Sequence, residues 1–369
     1  MKKNYILLII LFVLSLGCII FTYNDHFLYQ TPIMRVTSIE SKNITEDKYE
    51  EPLYVQTIKG TIMNGEYKGK TYETINSYTK SLVMDDKLTK GSEVFVELSN
   101  DGSDLLGIHG VKRDKYLVIL IVIFIDLIII IAGRKGFKTL LSLIVNLGIT
   151  AGSIILFMNN YTKMNLLLLY FIVSIIYIVV SLFITNGKSK KTLAAILSSI
   201  TSLLITFGLS FILIKINESN LYIWNIDYIE AVYDYNNYLY VCVLLRGLGA
   251  IMDISITISS ALNELIEKDK KIKKDALIKS GKEISKDIVG TMINVMLFTC
   301  YTSVIPTIVI ATKNKIPFTN AMDFYGGLEL MIVLCNCIGI VLTIPISLFI
   351  SIWILNKKKE VMKKWIRYY

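Results

Sequence analysis

The chain has 369 residues, 53% of them hydrophobic and only 19% charged, with a mean hydropathy of +0.55. Soluble chains carry about 25% charge, so these values exclude a disordered protein, argue against a single soluble domain, and point to several membrane spans with one polar module. The net charge of +9 is not a nucleic-acid footprint: residues 24–115 hold 12 basic and 15 acidic residues, and the basic excess sits in short segments beside apolar runs.

The first apolar run, 5–21, follows Lys2 and Lys3. No small-x-small cleavage site follows it. Leu16-Gly17-Cys18 is close to a lipoprotein site, but Ser15 stands where an aliphatic residue belongs and Ile19-Ile20-Phe21 continue the run. The segment reads as an uncleaved anchor, residues 1–23.

Residues 24–114 are polar and strand-rich. The stretches 54–62 and Glu93–Leu98 alternate apolar with polar, and Asn64-Gly65, Lys68-Gly69, Lys90-Gly91 and Asp101-Gly102 mark turns. A small all-β, OB-like module is expected, long enough to bury its own core.

Seven more apolar runs follow, at 116–133, 139–158, 165–185, 191–214, 238–262, 288–311 and 327–355. Each can cross a hydrocarbon core of ~30 Å. The fold class predicted is therefore an α-helical polytopic membrane protein of about eight spans. Residues 115–356 form its seven-helix membrane domain and 357–369 a basic tail. With the N-terminus inside, the cytoplasmic segments carry 22 Lys and Arg, against four in the short outer loops. That asymmetry predicts an N-in, C-in topology with the β module outside the cytoplasm.

Several segments resemble the YibE/F family of bacterial membrane proteins. They include 62–70 (IMNGEYKGK), 90–94 (KGSEV), 133–136 (GRKG) and 187–192 (GKSKKT). The longest patterns are 247–254 (GLGAIMDI) and 290–294 (GTMIN). The resemblance implies a multi-pass protein of the bacterial plasma membrane with a transport-related role, and supplies no established activity.

Charges within spans cost about 2.5–3.5 kcal/mol each near the bilayer centre, and persist where something pairs or wets them. Asp126 lies near the middle of its span with no local partner. It reads as the mate of a basic residue elsewhere, as an ion or proton site, or as water-exposed. Arg246 and Asp253 share one face of a helix, ~10.5 Å apart. Arg246 is near enough to the outer end to snorkel; Asp253 lies beyond the midplane. Gly247 and Gly249 stand between them and read as a helix break lining a polar site, or as a close helix contact. Asn294 and Thr291 lie at a depth similar to Asp253 and can complete a solute or ion site, or serve as interhelical glue. Pro306 predicts a kink. Glu329 reads as a carboxylate stabilised by the start of its helix, and Asn146 as packing glue.

The segment 263–287 holds eight lysines and six acids. Ile272, Ala276, Leu277 and Ser280 share a helical face, which fits an amphipathic helix on the inner surface, an orienting loop or a partner's docking site. Tyr222, Trp224, Tyr228, Tyr233, Tyr235, Tyr238 and Tyr240 read as an interfacial belt, with Asp227, Glu230 and Asp234 able to attract cations.

Gly187-Lys188-Ser189 is no phosphate loop, because Leu182 occupies the glycine position. GxSxG and HExxH are absent, and no protease-like motif surrounds Asp126 or Asp253, so no enzyme is expected; the alternative is an intramembrane enzyme that brings those two carboxylates together. Five cysteines lie in apolar runs without a CxxC pair, and only two histidines occur. No metal, cofactor, disulfide framework or nucleic-acid partner is expected. Cys335 and Cys337, two residues apart, should face different ways. The leading expectation is binding or movement of a small polar or ionic solute without ATP hydrolysis. The other is an envelope scaffold or sensor whose outer module binds an envelope protein.

Overall fold

Each of the eight apolar runs is helical in the computed structural model, and the polar segment after the first is a β-sheet module. The structure describes residues 2–43, 53–80, 82, 85–99, 104–160, 164–217 and 235–366. The chain divides into two compact units, Met1–Phe137 and Lys138–Tyr369.

The first unit holds helix α1 (Lys2–Tyr23), a 3₁₀ turn (Asp25–Leu28) and five strands: β1 (Ile33–Asn43), β2 (Leu53–Ile62), β3 (Thr71–Thr79), β4 (Glu93–Leu98) and β5 (Leu105–Val111). The strands form one antiparallel sheet in the order β3-β2-β1-β4-β5. It curls until its edge strands β3 and β5 approach each other. The alternation seen in the sequence is the reason: Ile58 and Ile62 on β2 and Val94 and Val96 on β4 point inward with Met34, Val36, Tyr72 and Leu88. Gly60 faces inward too, and a β-carbon there would collide with the Met34 side chain and the Arg35 carbonyl. The turns at Gly65, Gly69 and Gly91 have positive φ (75°, 88° and 88°), which glycine adopts without strain. Asp101-Gly102 lies outside the described residues.

Two buried amides tie down the module's irregular segments. Asn64 Oδ1 accepts from Ile33 N at 2.7 Å, while its Nδ2 donates to the Tyr29 and Thr31 carbonyls. Gln56 exchanges two 3.0 Å bonds with the backbone of Leu88. Each satisfies groups that would otherwise be buried unpaired.

Helix α2 (Asp114–Asn160) contains two of the apolar runs. Its 47 residues would extend ~70 Å if straight, more than twice a bilayer core. Gly133, at φ 54° and ψ −128°, interrupts it within the Gly-Arg-Lys-Gly segment. The second unit begins just beyond and continues with α3 (Leu166–Asn186), α4 (Lys190–Asn217), α5 (Tyr235–Lys268) and α6 (Lys274–Lys313), then a short turn α7 (Phe318–Ala321), a π segment (Met322–Gly326) and α8 (Gly327–Ile366). Among the described residues, six helices are long and apolar enough to cross a membrane. Two of the eight expected spans lie within the single helix α2.

Helix boundaries follow from local chemistry. Asn165 caps α3, its side chain accepting from Leu168 N at 3.1 Å, and Gly187 ends it at φ 70°. Ser189 then caps α4 through Thr192 N at 3.2 Å. The Gly-Lys-Ser triplet is thus a helix stop followed by a helix start.

Helix α5 contacts α3, α4, α6 and α8. One apolar cluster joins α5, α6 and α8 through Ile254, Ile258, Cys300, Val333 and Ile340. Another joins α3, α4 and α5 through Ile178, Leu182, Leu203, Leu244 and Ile251. Cys335 and Cys337 are buried in different clusters, as their spacing required. Helix α6 starts at Lys274 and runs unbroken past Pro306. The segment 263–287, read as a surface helix, an orienting loop or a docking site, is the end of α5, a short connection and the first turns of α6. Leu277, Gly281 and Ser285 are its buried positions, one turn apart, and Ala276 is exposed. A β-carbon at Gly281 would meet the end of the Leu348 side chain, so α6 and α8 approach closely there.

Candidate functional site

Helix α5 keeps its charged residues on a continuous helical frame, so the expected break at Gly247 and Gly249 does not occur. The two glycines do different things. A β-carbon at 247 would meet the Asn336 amide of α8, whereas at 249 it would meet nothing within 4 Å. Gly247 is therefore a close-approach residue and Gly249 is open.

Arg246 forms a two-pronged ion pair with Glu329 in the first turn of α8: Nη1 faces Oε2, and Nη2 donates to Oε1 at 3.1 Å. Both side chains are half-buried. The planar guanidinium fork matches the carboxylate, which makes this the strong form of ion pair. Glu329 is thus held by a partner and not merely by a helix start; α8 continues directly from the π segment before it.

Below this pair the α5–α8 contact is lined with small polar groups. Asn336 is fully buried; its Nδ2 donates to the Ile332 carbonyl at 3.0 Å, and its Oδ1 has no partner among the described residues. Further along, Ser255 and Ser347 share a hydrogen bond of 3.1 Å, and Ser259 and Ser351 one of 2.8 Å. Helix α4 adds Ser199, Ser202, Thr206 and Ser210, all buried. The hydroxyls of Ser199 and Ser202 have no partner among the described residues. Thr206 fills the space above Gly339, and Ser210 lies at Cys335, so α4 runs antiparallel to α8 along the same seam. From Glu329 to Ser351 the seam extends for ~33 Å of helix, the thickness of a hydrocarbon core. It was missed in the sequence reading, although its signal is present: polar residues at 336, 343, 347 and 351 recur at one-turn and two-turn intervals on α8.

Asp253 lies elsewhere on α5. Positions 250, 254 and 258 face α6 and α8, and 252 and 256 face α3 and α4. Gly249, Asp253 and Thr257 fall between, on an exposed stripe. Among the described residues the Asp253 carboxylate has no hydrogen-bond partner. Asn294 and Thr291 are exposed on α6; Thr291 bonds back to the carbonyls of Asp287 and Ile288, and neither residue bonds to Asp253. Asp126 belongs to the first unit, where Ser15 of α1 donates to its Oδ2 at 2.7 Å. Asn146 exchanges hydrogen bonds with Ser181 of α3, at 2.8 and 3.2 Å. Of the tyrosine-rich segment, 218–234 lies outside the described residues.

A second polar cluster sits where the module meets its two helices, again unforeseen. Lys112 is buried, with Nζ 2.7 Å from both Asp25 and Asp114. Tyr29 donates to Asp114 at 2.9 Å. Beside it, buried Glu93 accepts from Arg35 at 2.7 and 3.0 Å and lies 3.2 Å from His26, with Lys115 3.4 Å from its other oxygen. Burial opposes ionisation of Glu93, but hydrogen bonds from Arg35 and His26 and the charge of Lys115 outweigh it and hold the carboxyl below its ordinary range. Burial likewise acts against charged Lys112, and Asp114 and Asp25 overcome it, raising its pKa. Among the described residues no three His, Cys, Asp or Glu side chains gather as a metal site.

A β module followed by helices long and apolar enough to cross a membrane is the make-up of a membrane protein. The family described as YibE/F-like protein matches residues 120–357, and its N-terminal domain family matches 27–111. The chain belongs to the YibE/F family. Comparison with curated proteins and with solved structures gave no match.

Proposed function

We propose that the membrane domain binds and moves a small polar or ionic solute across the bacterial plasma membrane without ATP hydrolysis. The arrangement proposed is eight spans, N-in and C-in, with the OB-like module outside. One observation carries the reading. Glu329 balances Arg246, so Asp253 remains an uncompensated carboxylate on an exposed stripe of a membrane-length helix. A lone carboxylate facing lipid is costly. An aqueous groove and a cationic or hydrogen-bond-donating solute would both relieve that cost. Asn294 and Thr291 on the adjacent helix supply further polar groups near the same depth.

The test is flux in proteoliposomes, wild type against Asp253→Asn, with a panel of cations, anions and amino acids. Loss of flux in a folded variant supports the site. Flux unchanged by the substitution removes Asp253 from it.

A second reading is favoured by the buried charge cluster at Lys112 and Glu93, which joins the module to both α1 and α2. Such a joint suits an envelope scaffold or sensor that relays a partner bound at the module. The open cleft beside Tyr67, Glu97 and His109 is the module's candidate surface for that partner. A protein inert for every solute in the panel, yet crosslinked in cells to an envelope protein through that cleft, would favour this reading.

A further inference from the structure

We propose that the buried seam between α4, α5 and α8 is a proton path. The proposal rests on the transport reading and names an ion that the membrane domain conducts.

Small residues alone would make the seam a packing device, since they let membrane helices approach closely. Three buried atoms go beyond packing. Asn336 Oδ1, Ser199 Oγ and Ser202 Oγ are fully enclosed without a partner among the described residues. Leaving polar atoms dry at such depth is unfavourable. Their placement is regular as well. Since Thr206 lies against Gly339 on antiparallel helices, one further turn brings Ser202 level with Thr343. Ser199 then falls near Ser347, which is bonded to Ser255. Waters bridging these groups would satisfy the open valences and join the hydroxyls into one chain.

The chemistry favours protons over other cations. Beyond the Arg246–Glu329 pair at its end, the seam residues named are neutral hydroxyls and one amide, with no carboxylate to replace a metal ion's hydration shell. A hydroxyl both donates and accepts. In each step an O–H bond breaks on one oxygen as another forms on the next. The donor oxygen takes a proton from behind, so a passage leaves every group unchanged except for the direction of its O–H. The pairs Ser255–Ser347 and Ser259–Ser351 can each be oriented either way, as such a chain requires. Glu329, at the seam's end, is the natural point of entry, and its partner Arg246 restrains it.

The full chain is reconstituted in vesicles containing a pH-sensitive dye, and a potassium diffusion potential is imposed with valinomycin. Wild-type vesicles should acidify faster than protein-free ones, and Ser202→Ala and Ser347→Ala should fall to the protein-free rate. The two positions lie on different helices, so failure of one variant to fold leaves the other informative. Wild-type vesicles no faster than protein-free ones, or alanine variants as fast as wild type, would overturn the path. The solute panel run on the same preparation separates the two ideas. Solute flux without proton flux removes the path and leaves the transport reading; absence of both removes both.

Discussion

Arg246 of α5 reaches along its helix to Glu329 at the start of α8 and engages both carboxylate oxygens. The pair ties together two helices that also meet at Gly247 and Asn336. Removing one partner leaves a charge in a half-buried membrane site. Arg246→Gln or Glu329→Gln should each cost about 1–3 kcal/mol, less than the 3–5 of a fully buried pair. The double variant should cost less than the sum of the two. Thermal denaturation of the four proteins in detergent gives the coupling directly; additive effects would mean that the contact is not energetically real.

The two glycines flanking Leu248 should respond in opposite ways to alanine. Gly247→Ala forces the Asn336 amide aside and should destabilise by about 1–3 kcal/mol, as overpacked contacts do. Gly249→Ala adds a methyl to open space in a helix and should be neutral or stabilising by up to about 1 kcal/mol. The same melting experiment distinguishes them. Equal losses at both sites would contradict the packing described.

The module's stability should fall at both extremes of pH, for different reasons. Glu93 has a depressed pKa, so its contribution is full above the ordinary carboxylate value near about 4.3 and disappears as pH falls through the lowered one. Lys112 has a raised pKa, so its contribution is full below about 10.4 and disappears as pH rises through the raised value. Amide hydrogen exchange in β1 and β4 of the intact protein, corrected for intrinsic rates, should show slowest opening between these limits. Glu93→Gln should weaken the acid limb and Lys112→Met the alkaline limb. Limbs unchanged in both variants would show that the cluster does not hold the module together.

Much of the architecture was legible because its signals are local. Alternation at 54–62 located β2, runs of apolar residues located the long helices, and glycines located the turns. The site was less legible because it depends on partners distant in sequence. That Arg246 meets Glu329, 83 residues away, follows from how α5 packs on α8 and from nothing near either residue. Gly247 and Gly249 look alike in sequence, but only one faces a neighbour. Lys112, Asp25 and Glu93 read as ordinary surface residues in the sequence, and only the fold brings them into buried ion pairs. The serines of α4, α5 and α8 carried a readable helical period, but serine's low hydropathy contrast hid it within apolar runs.

The central claim is that the stripe of α5 carrying Asp253 faces an aqueous groove within the membrane. The most direct measurement replaces Asp253 with cysteine and follows its modification by a small, charged, membrane-impermeant thiol reagent in proteoliposomes, with wild-type protein as the control for native cysteines. The account predicts rapid modification of Asp253→Cys from one side of the membrane, slowed when a transported cation is present. A thiol at 253 that reacts only with lipid-soluble reagents would place the stripe against lipid and contradict the account.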